Sequence, residues 1–393
     1  MKKFNSRLTN RIYVNEKGDS DRNTARMNKL TGRRSYLTSL AGAASIGLAG
    51  CLGNGDAEGP TADSPLRVEF FGGLFKEVLD EVLVEPFREE TDIPIESEAG
   101  LSQTELTRLN AAVEAGEAPV DLFVAQPRAR IRGHEMGLWH THDPSVIPSH
   151  EDVIPELVPQ TDDGELIAVG AFGVYESIVT NLDVIDEPIT SWESLWDEQY
   201  EDQFAMQDSF DSHLLDITAH VFDEFDGQET LETEDGIMSV LEKIQEIRPQ
   251  VTMWYDAEAE AQEGMETNDV GAAKYFNDVG VVMEERDSSK FHNAAPEEGM
   301  VENHAAWVIP DSSPNVDAAV EFINYTLRPD VQQRITEELF TAPVLKDEVF
   351  DIPQELYSAV HGPGPDEAIR PNYQMYLDRE EWLDEQWRDM ILP

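Results

Sequence analysis

From residue 66 onward the apolar positions of this chain switch repeatedly between two rhythms. Arg67-Val68-Glu69-Phe70-Phe71 is a short extended run that stops at Gly72-Gly73. Residues 74–90 then place apolar side chains at 74, 75, 78, 79, 82 and 83, the spacing of one helical face. Pro86 sits late in that stretch, where a helix bends. Residues 93–96 predict a second strand, 103–115 a second helix, and 120–125 a third strand, apolar throughout except at Asp121. A run apolar on both faces belongs in a sheet covered from both sides. Strands alternating with helices imply a parallel sheet with helices on each side. In such a sheet ligands gather at the carboxyl ends of the strands, here Phe71-Gly72-Gly73, the turn over 100–104, and Gln126-Pro127.

Residues 167–181 are apolar and extended, and predict a segment that crosses from one lobe to another. Ser191 is placed to cap a helix opening at Trp192. Further strands are expected over 204–206, 251–254 and 270–275, and a second crossing over 301–310. Ser313-Pro314 reads as a cap and first-turn proline for a helix over 316–327. Tyr357, Tyr373, Tyr376, Trp382 and Trp387 are expected to clamp the last helices onto the lobes.

The amino-terminal stretch follows a different logic. Arg33-Arg34-Ser35-Tyr36-Leu37 has the form of the address read by the twin-arginine export system. The apolar run over 36–50 is short of the roughly 20 residues that span a bilayer and fits a signal-peptide core. Leu48-Ala49-Gly50-Cys51 resembles a lipobox, where cleavage before a cysteine leaves that cysteine to be acylated. Cys51 is the only cysteine, so an internal disulfide framework and a cysteine-ligated metal are both excluded. Residues 1–26 are polar and basic and precede Met27, and are expected to be a mis-called start or a dispensable extension. The expected division is a signal over 1–50 and a tether over 51–64. One lobe covers 65–172 with 300–393, including the C-terminal helices, and the other covers 173–299.

Charge narrows the function. The chain holds 80 acidic against 28 basic residues, and ten of the bases lie in the first 50 positions. Lysine after residue 50 is confined to Lys76, Lys243, Lys274, Lys290 and Lys346. Such self-repulsion strains a compact state in dilute buffer but is screened at molar salt, where the Debye length is about 3 Å. The composition resembles that of a secreted protein of a halophilic archaeon. It excludes nucleic acid, whose phosphates require basic surfaces. With acids spread everywhere, no carboxylate pair can be singled out as an acid–base couple. His140, His142, Asp143, His150 and Glu151 contain metal-ligand residue types, but a surface loop is the preferred reading, and neither a metal nor a cofactor is expected. Asn324-Tyr325-Thr326 matches a glycosylation acceptor but falls inside an expected helix.

Several segments resemble the spermidine/putrescine-binding type of extracellular solute-binding protein that serves ABC importers. They are Pro296-Glu297-Glu298-Gly299-Met300-Val301, Val308-Ile309-Pro310, the run from Ala318 through Asn324 to Val331, Ser191-Trp192-Glu193-Ser194-Leu195-Trp196, Glu85-Pro86-Phe87, and Phe340-Thr341-Ala342-Pro343. Their order and spacing cover residues 65–345. The resemblance implies an α/β, two-lobed, periplasmic-binding-protein-like fold of type II, with a hinge of crossing strands and a ligand cleft between lobes. Polyamine binders hold amines with acids and aromatic faces. Here Asn303 and Ala305 stand where the family has Trp and Asp, and Ser209 and Ser212 where it has two acids. Another cleft Trp of the family falls near Lys274, Tyr275 or Phe276. The resemblance therefore carries the fold further than it carries the ligand.

The residues expected to line the cleft are Phe71, Gly72, Gln103, Thr104, Gln126, Tyr175, Asp208, Ser209, Tyr275 and Asn303. The expected function is that of a non-enzymatic, monomeric receptor, lipid-anchored through Cys51 on the outer face of the cell membrane. It would capture a small polyamine-like or other organic solute by hinge closure and present it to an ABC permease. Amino-acid-like, opine-like and polar anionic solutes come next. A secreted α/β hydrolase is the rival class, disfavoured by the lack of a Gly-x-Ser-x-Gly elbow or zinc helix motif. A surface sensor without transport is the third.

Overall fold

A computed structural model describes residues 59–392 apart from 62–63, 72–73, 101, 116, 118, 350 and 363–366. Arg33, Arg34, Cys51 and Gly72 lie outside the described residues. Two sheets organise the chain. The first has the order β2-β1-β3-β11-β4, built from β1 (Leu66–Phe70), β2 (Ile95–Ala99), β3 (Leu122–Ala125), β4 (Val169–Phe172) and β11 (Ala305–Val308). The second has the order β10-β5-β8-β6-β7, with β9 also paired to β5. Its strands are β5 (Tyr175–Asn181), β6 (Phe204–Gln207), β7 (Val251–Tyr255), β8 (Ala272–Phe276), β9 (Phe291–Ala294) and β10 (Val301–Glu302).

The expected alternation holds, but the sheets are mixed rather than parallel. β1 runs parallel to β2 and β3, whereas β11 is antiparallel to both β3 and β4. In the second sheet β6 is parallel to β7 and β8, and β5 is antiparallel to β8. The reversals arise where the chain passes between lobes. A strand that leaves one sheet and returns later must re-enter it running the other way.

Local departures have local causes. The helix expected over 74–90 is interrupted by a π-helical turn, Asp80–Val84, just before Pro86 at the start of Glu85–Thr91. The wider turn accommodates a proline that has no amide to donate. Residues 192–196 form one 3-10 segment, capped by Ser191, not a longer helix. The helix Val316–Thr326 starts after Asn315. Ser313 instead donates to Asp121 Oδ1 (2.9 Å), tying the loop to β3's leading edge. Asn324 is helical, and its amide donates to Val146 and Val320 carbonyls.

Each sheet has its own core. In the first lobe Trp307 meets Phe70 at 6.0 Å and Phe322 at 5.6 Å edge-on, and Phe322 meets Phe87 at 4.9 Å. In the second, Trp192, Phe204, Ile217 and Leu241 are fully buried. Tyr376, Leu383, Trp387 and Ile391 belong to this second core. The apolar faces of the C-terminal helices Tyr373–Asp378 and Glu380–Met390 therefore join the second core, while Gln374 and Glu380 reach across to the helix Pro127–Glu135 of the first lobe. Only the helix Gln354–His361 of the tail inserts Leu356 and Val360 into the first core. The expected boundary failed because tail aromatics identify a clamp without saying which lobe it closes. No helix of the described residues is long and apolar enough to cross a membrane.

Trp387 is 1% exposed whereas Trp382 is half-buried on the same helix. Trp387→Ala should cost about 3–5 kcal/mol in denaturant titration at molar salt, and Trp382→Ala clearly less. Equal costs would show that the last helix does not seal the second core.

Candidate functional site

The lobes are joined by two adjacent crossings. β4 leads into β5 through Gly173-Val174, and β10 leads into β11 through Asn303-His304. Pairing continues across the junction. Tyr175 opposes Glu302, the Asn303 amide donates to Val174 O at 2.9 Å, and Phe172 opposes Ala305. A third segment joins them, with Gly173 and Ala342 exchanging backbone hydrogen bonds of 2.7 and 2.8 Å. A Cβ on Gly173 would lie 2.8 Å from Ala342 Cβ, so the close approach requires glycine. Tyr175 and His304 meet edge-on at 4.7 Å, with His361 6.0 Å from Tyr175. Burial lowers the His361 pKa to about 4, assisted by His304, and neither His361 ring nitrogen has a hydrogen bond among the described residues.

The strand ends place the cleft walls. On the first lobe, Phe71 follows β1 and packs against Phe75 at 5.7 Å and Phe172 at 6.1 Å, half-buried. Gln126 follows β3 and precedes the helix Pro127–Glu135, its carbonyl accepting from the Arg130 amide at 2.9 Å. On the second lobe the loop after β6 and the ends of β5 and β8 face the hinge. Beneath them lies a buried charge network. Lys274 Nζ donates to Glu176 Oε2 at 2.6 Å, and His213 Nδ1 lies 3.0 Å from Glu176 Oε1. Burial opposes ionisation of Glu176, but His213 and Lys274 outweigh it and hold its pKa well below the usual carboxylate range. His213 adopts φ 60°, a left-handed conformation uncommon for a residue with a Cβ. That conformation aims its ring at Glu176.

A second cluster ties the lobes together. Arg128 of the helix Pro127–Glu135 reaches Asp211 of the second lobe and, at 2.8 Å, Glu380 of the last helix. Arg132, one turn on, reaches the other oxygen of Glu380. Phe210 lies 5.4 Å below the Arg128 guanidinium. Arg128 is only 11% exposed, so these pairs are less screened than surface ones.

The expected cleft residues divide accordingly. Phe71, Gln126 and Asn303 stand at strand ends or in the crossing. Gln103 and Thr104 lie in the first turn of the helix Ser102–Glu114, with side chains outside the described residues. Ser209 donates to Asp211 and so supports the interlobe cluster. Tyr175 is buried in the hinge. One placement departs from the expectation. Tyr275 is 3% exposed, and its hydroxyl donates to Glu258 O at 2.8 Å within the second lobe, because strand alternation turns it away from Lys274. Asp208 is exposed just after β6, where burial and then Asp256 raise its pKa. Asp211 bridges the lobes, as do Arg128, Arg132 and Glu380. The signal for them was the crowding of Arg128, Arg130 and Arg132 within five residues of a base-poor chain. Surface depressions at Met253, Trp254 and Gly264 and at Pro65, Arg88 and Ile95 lie away from the crossing. No group of three metal-ligating side chains occurs among the described residues.

The family model for bacterial extracellular solute-binding proteins matches residues 82–354, and the chain belongs to that family. A gamma-aminobutyric acid-binding protein of Pseudomonas aeruginosa is 21% identical over 324 residues, 81% of this chain and 87% of its own. The structure of a binding protein from A. tumefaciens B6 in complex with glucopine is similar over 83% of this chain and 99% of its own, with 17% identity and a TM-score of 0.67. A spermidine/putrescine transporter substrate-binding protein from Streptococcus pneumoniae shares 18% identity over 83% of this chain and 99% of its own, with a TM-score of 0.63. At these identities the solved structures share the fold.

Two measurements follow. Arg128→Gln should weaken the described interlobe arrangement by about 2 kcal/mol, read as a larger radius of gyration in solution scattering of the unliganded protein. An unchanged radius would show that the ion pairs do not hold the lobes together. His361 has a depressed pKa in the folded state, so the unfolded chain binds more protons between pH 6.5 and 4. Stability from keeping it neutral is complete above about pH 6.5 and falls as pH drops toward 4, by up to about 1.4 kcal/mol per pH unit. His361→Phe should flatten the melting-temperature profile in that window at constant salt; an unchanged slope would assign it to other groups.

Proposed function

We propose that this protein is a lipid-anchored receptor on the outer face of the cell membrane that captures a small organic solute by hinge closure and delivers it to an ABC permease. The observation that carries the reading is the continuous crossing ribbon at 172–175 and 302–305, which joins two separately cored lobes and lets them rotate without breaking either core. Ligand contacts from both lobes then favour the closed form. The twin-arginine address and the lipobox cysteine supply the route outward and the anchor. The named relatives bind solutes that share an amine nitrogen, from gamma-aminobutyric acid to the spermidine/putrescine class. A small organic amine is therefore the class to which the solute belongs. A simple polyamine clamp finds less support, because Glu176, the buried acid at the root of β5, is already neutralised by Lys274 and His213.

Thermal-shift screening of the protein at molar salt against polyamines, amino acids and opines tests this. A ligand of the native state present at a hundredfold over its dissociation constant adds about 2.7 kcal/mol. A cognate solute should raise the melting temperature, and Cys51→Ser should release the protein from membranes into the medium. Absence of any shift, together with turnover of an ester, peptide or glycoside, would replace the receptor with a hydrolase.

A further inference from the structure

Among the described residues, Arg130 is the one arginine whose guanidinium makes neither a hydrogen bond nor an ion pair. The others reach a carboxylate, a tyrosine hydroxyl or a carbonyl. Its Nη1 is sealed from solvent. Arg248, Arg334 and Arg379 also lack a carboxylate, yet each donates to a carbonyl or a hydroxyl. The groups near Arg130 are committed elsewhere. Glu302 is held by Arg370 at 3.1 Å, and the Tyr373 hydroxyl donates to Glu302 O at 2.7 Å. Burial keeps His304 below its ordinary pKa, so it adds no competing proton there.

Position gives the unpaired cation its meaning. Arg130 lies two residues from both Arg128 and Arg132, a spacing that turns it to the other side of the helix from the interlobe cluster. Glu302 of the returning crossing and Tyr373 of the C-terminal helix lie within electrostatic reach of it. It therefore stands where both lobes and the hinge meet, a few residues beyond the carboxyl end of β3, the strand end at which an α/β sheet receives ligands. A guanidinium with one nitrogen sealed from solvent and no partner is costly, and its planar fork matches a carboxylate with two parallel hydrogen bonds.

We propose that Arg130 anchors a carboxylate of the transported solute, which makes that solute an amino acid or a related carboxylate-bearing amine rather than a polyamine. This rests on the receptor reading above and specifies its ligand.

The test uses the full chain at molar salt and three four-carbon probes that differ only at their ends: putrescine, γ-aminobutyrate and succinate. Longer ω-amino acids and an opine extend the carboxylate series. At least one carboxylate-bearing probe should raise the melting temperature, and putrescine should not. Arg130→Met should weaken that binding by at least about tenfold, and Arg130→Lys by less. A shift with putrescine alone, or carboxylate binding untouched by Arg130→Met, would overturn the assignment. A second arm needs no ligand. Removing an unpaired buried charge should raise the melting temperature of the unliganded protein by about 2 °C or more, whereas an arginine that supports the fold would lower it on replacement. A lower melting temperature for unliganded Arg130→Met would therefore also overturn the proposal. If no probe of any charge shifts the wild-type protein, the receptor reading fails, and the unliganded comparison still decides the role of Arg130.

Discussion

The molecule depends on one narrow constraint: two antiparallel strands must pass side by side between the lobes while remaining paired. Backbone bonds between Asn303 and Val174, and between Gly173 and Ala342, satisfy amides that would otherwise be stranded inside a buried waist. Because the pairing continues into both sheets, a twist of the ribbon moves each lobe as a body. The close approach at Gly173 admits no side chain there, so the waist stays thin. The cleft, the interlobe ion pairs and Arg130 are all positioned by that join.

The charge of the chain is organised around the same place. On the surface, acids repel one another and depend on salt for screening. Inside, three carboxylates have dedicated partners. Asp121 receives Arg67 and Ser313, Asp216 receives Tyr376 and Gln228, and Glu176 receives Lys274 and His213. Arg67 and Lys274 thus sit where desolvation makes a bare acid costly. Beside them an arginine whose guanidinium has no hydrogen-bonding partner stands out, as does the use of Arg128 and Arg132 to join lobes.

Much of the fold could be read from the chain, and the reasons are physical. Strand and helix rhythms, the two crossings and the order of family-like segments located the sheets to within a few residues. The site was less legible. Phe71, Gln126 and Asn303 could be placed at strand ends or in the crossing because those positions are predictable from apolar runs. Tyr275 was misplaced because alternation decides its face, and a one-residue choice of register reverses the answer. Asp211 could not be singled out because its partner Arg128 lies 83 residues away, on a helix of the other lobe. The tail was assigned to the wrong lobe for a related reason: burial of Tyr376 and Trp387 depends on docking that no local pattern encodes.

That docking bears on how the protein is made. The second core is begun by residues near 178 and closed only by residues 375–391, so segments far apart in the chain must meet before it is sealed. That core cannot be completed until the tail has been synthesised. A truncated product would hold an unsealed apolar surface, the kind of species that quality control removes.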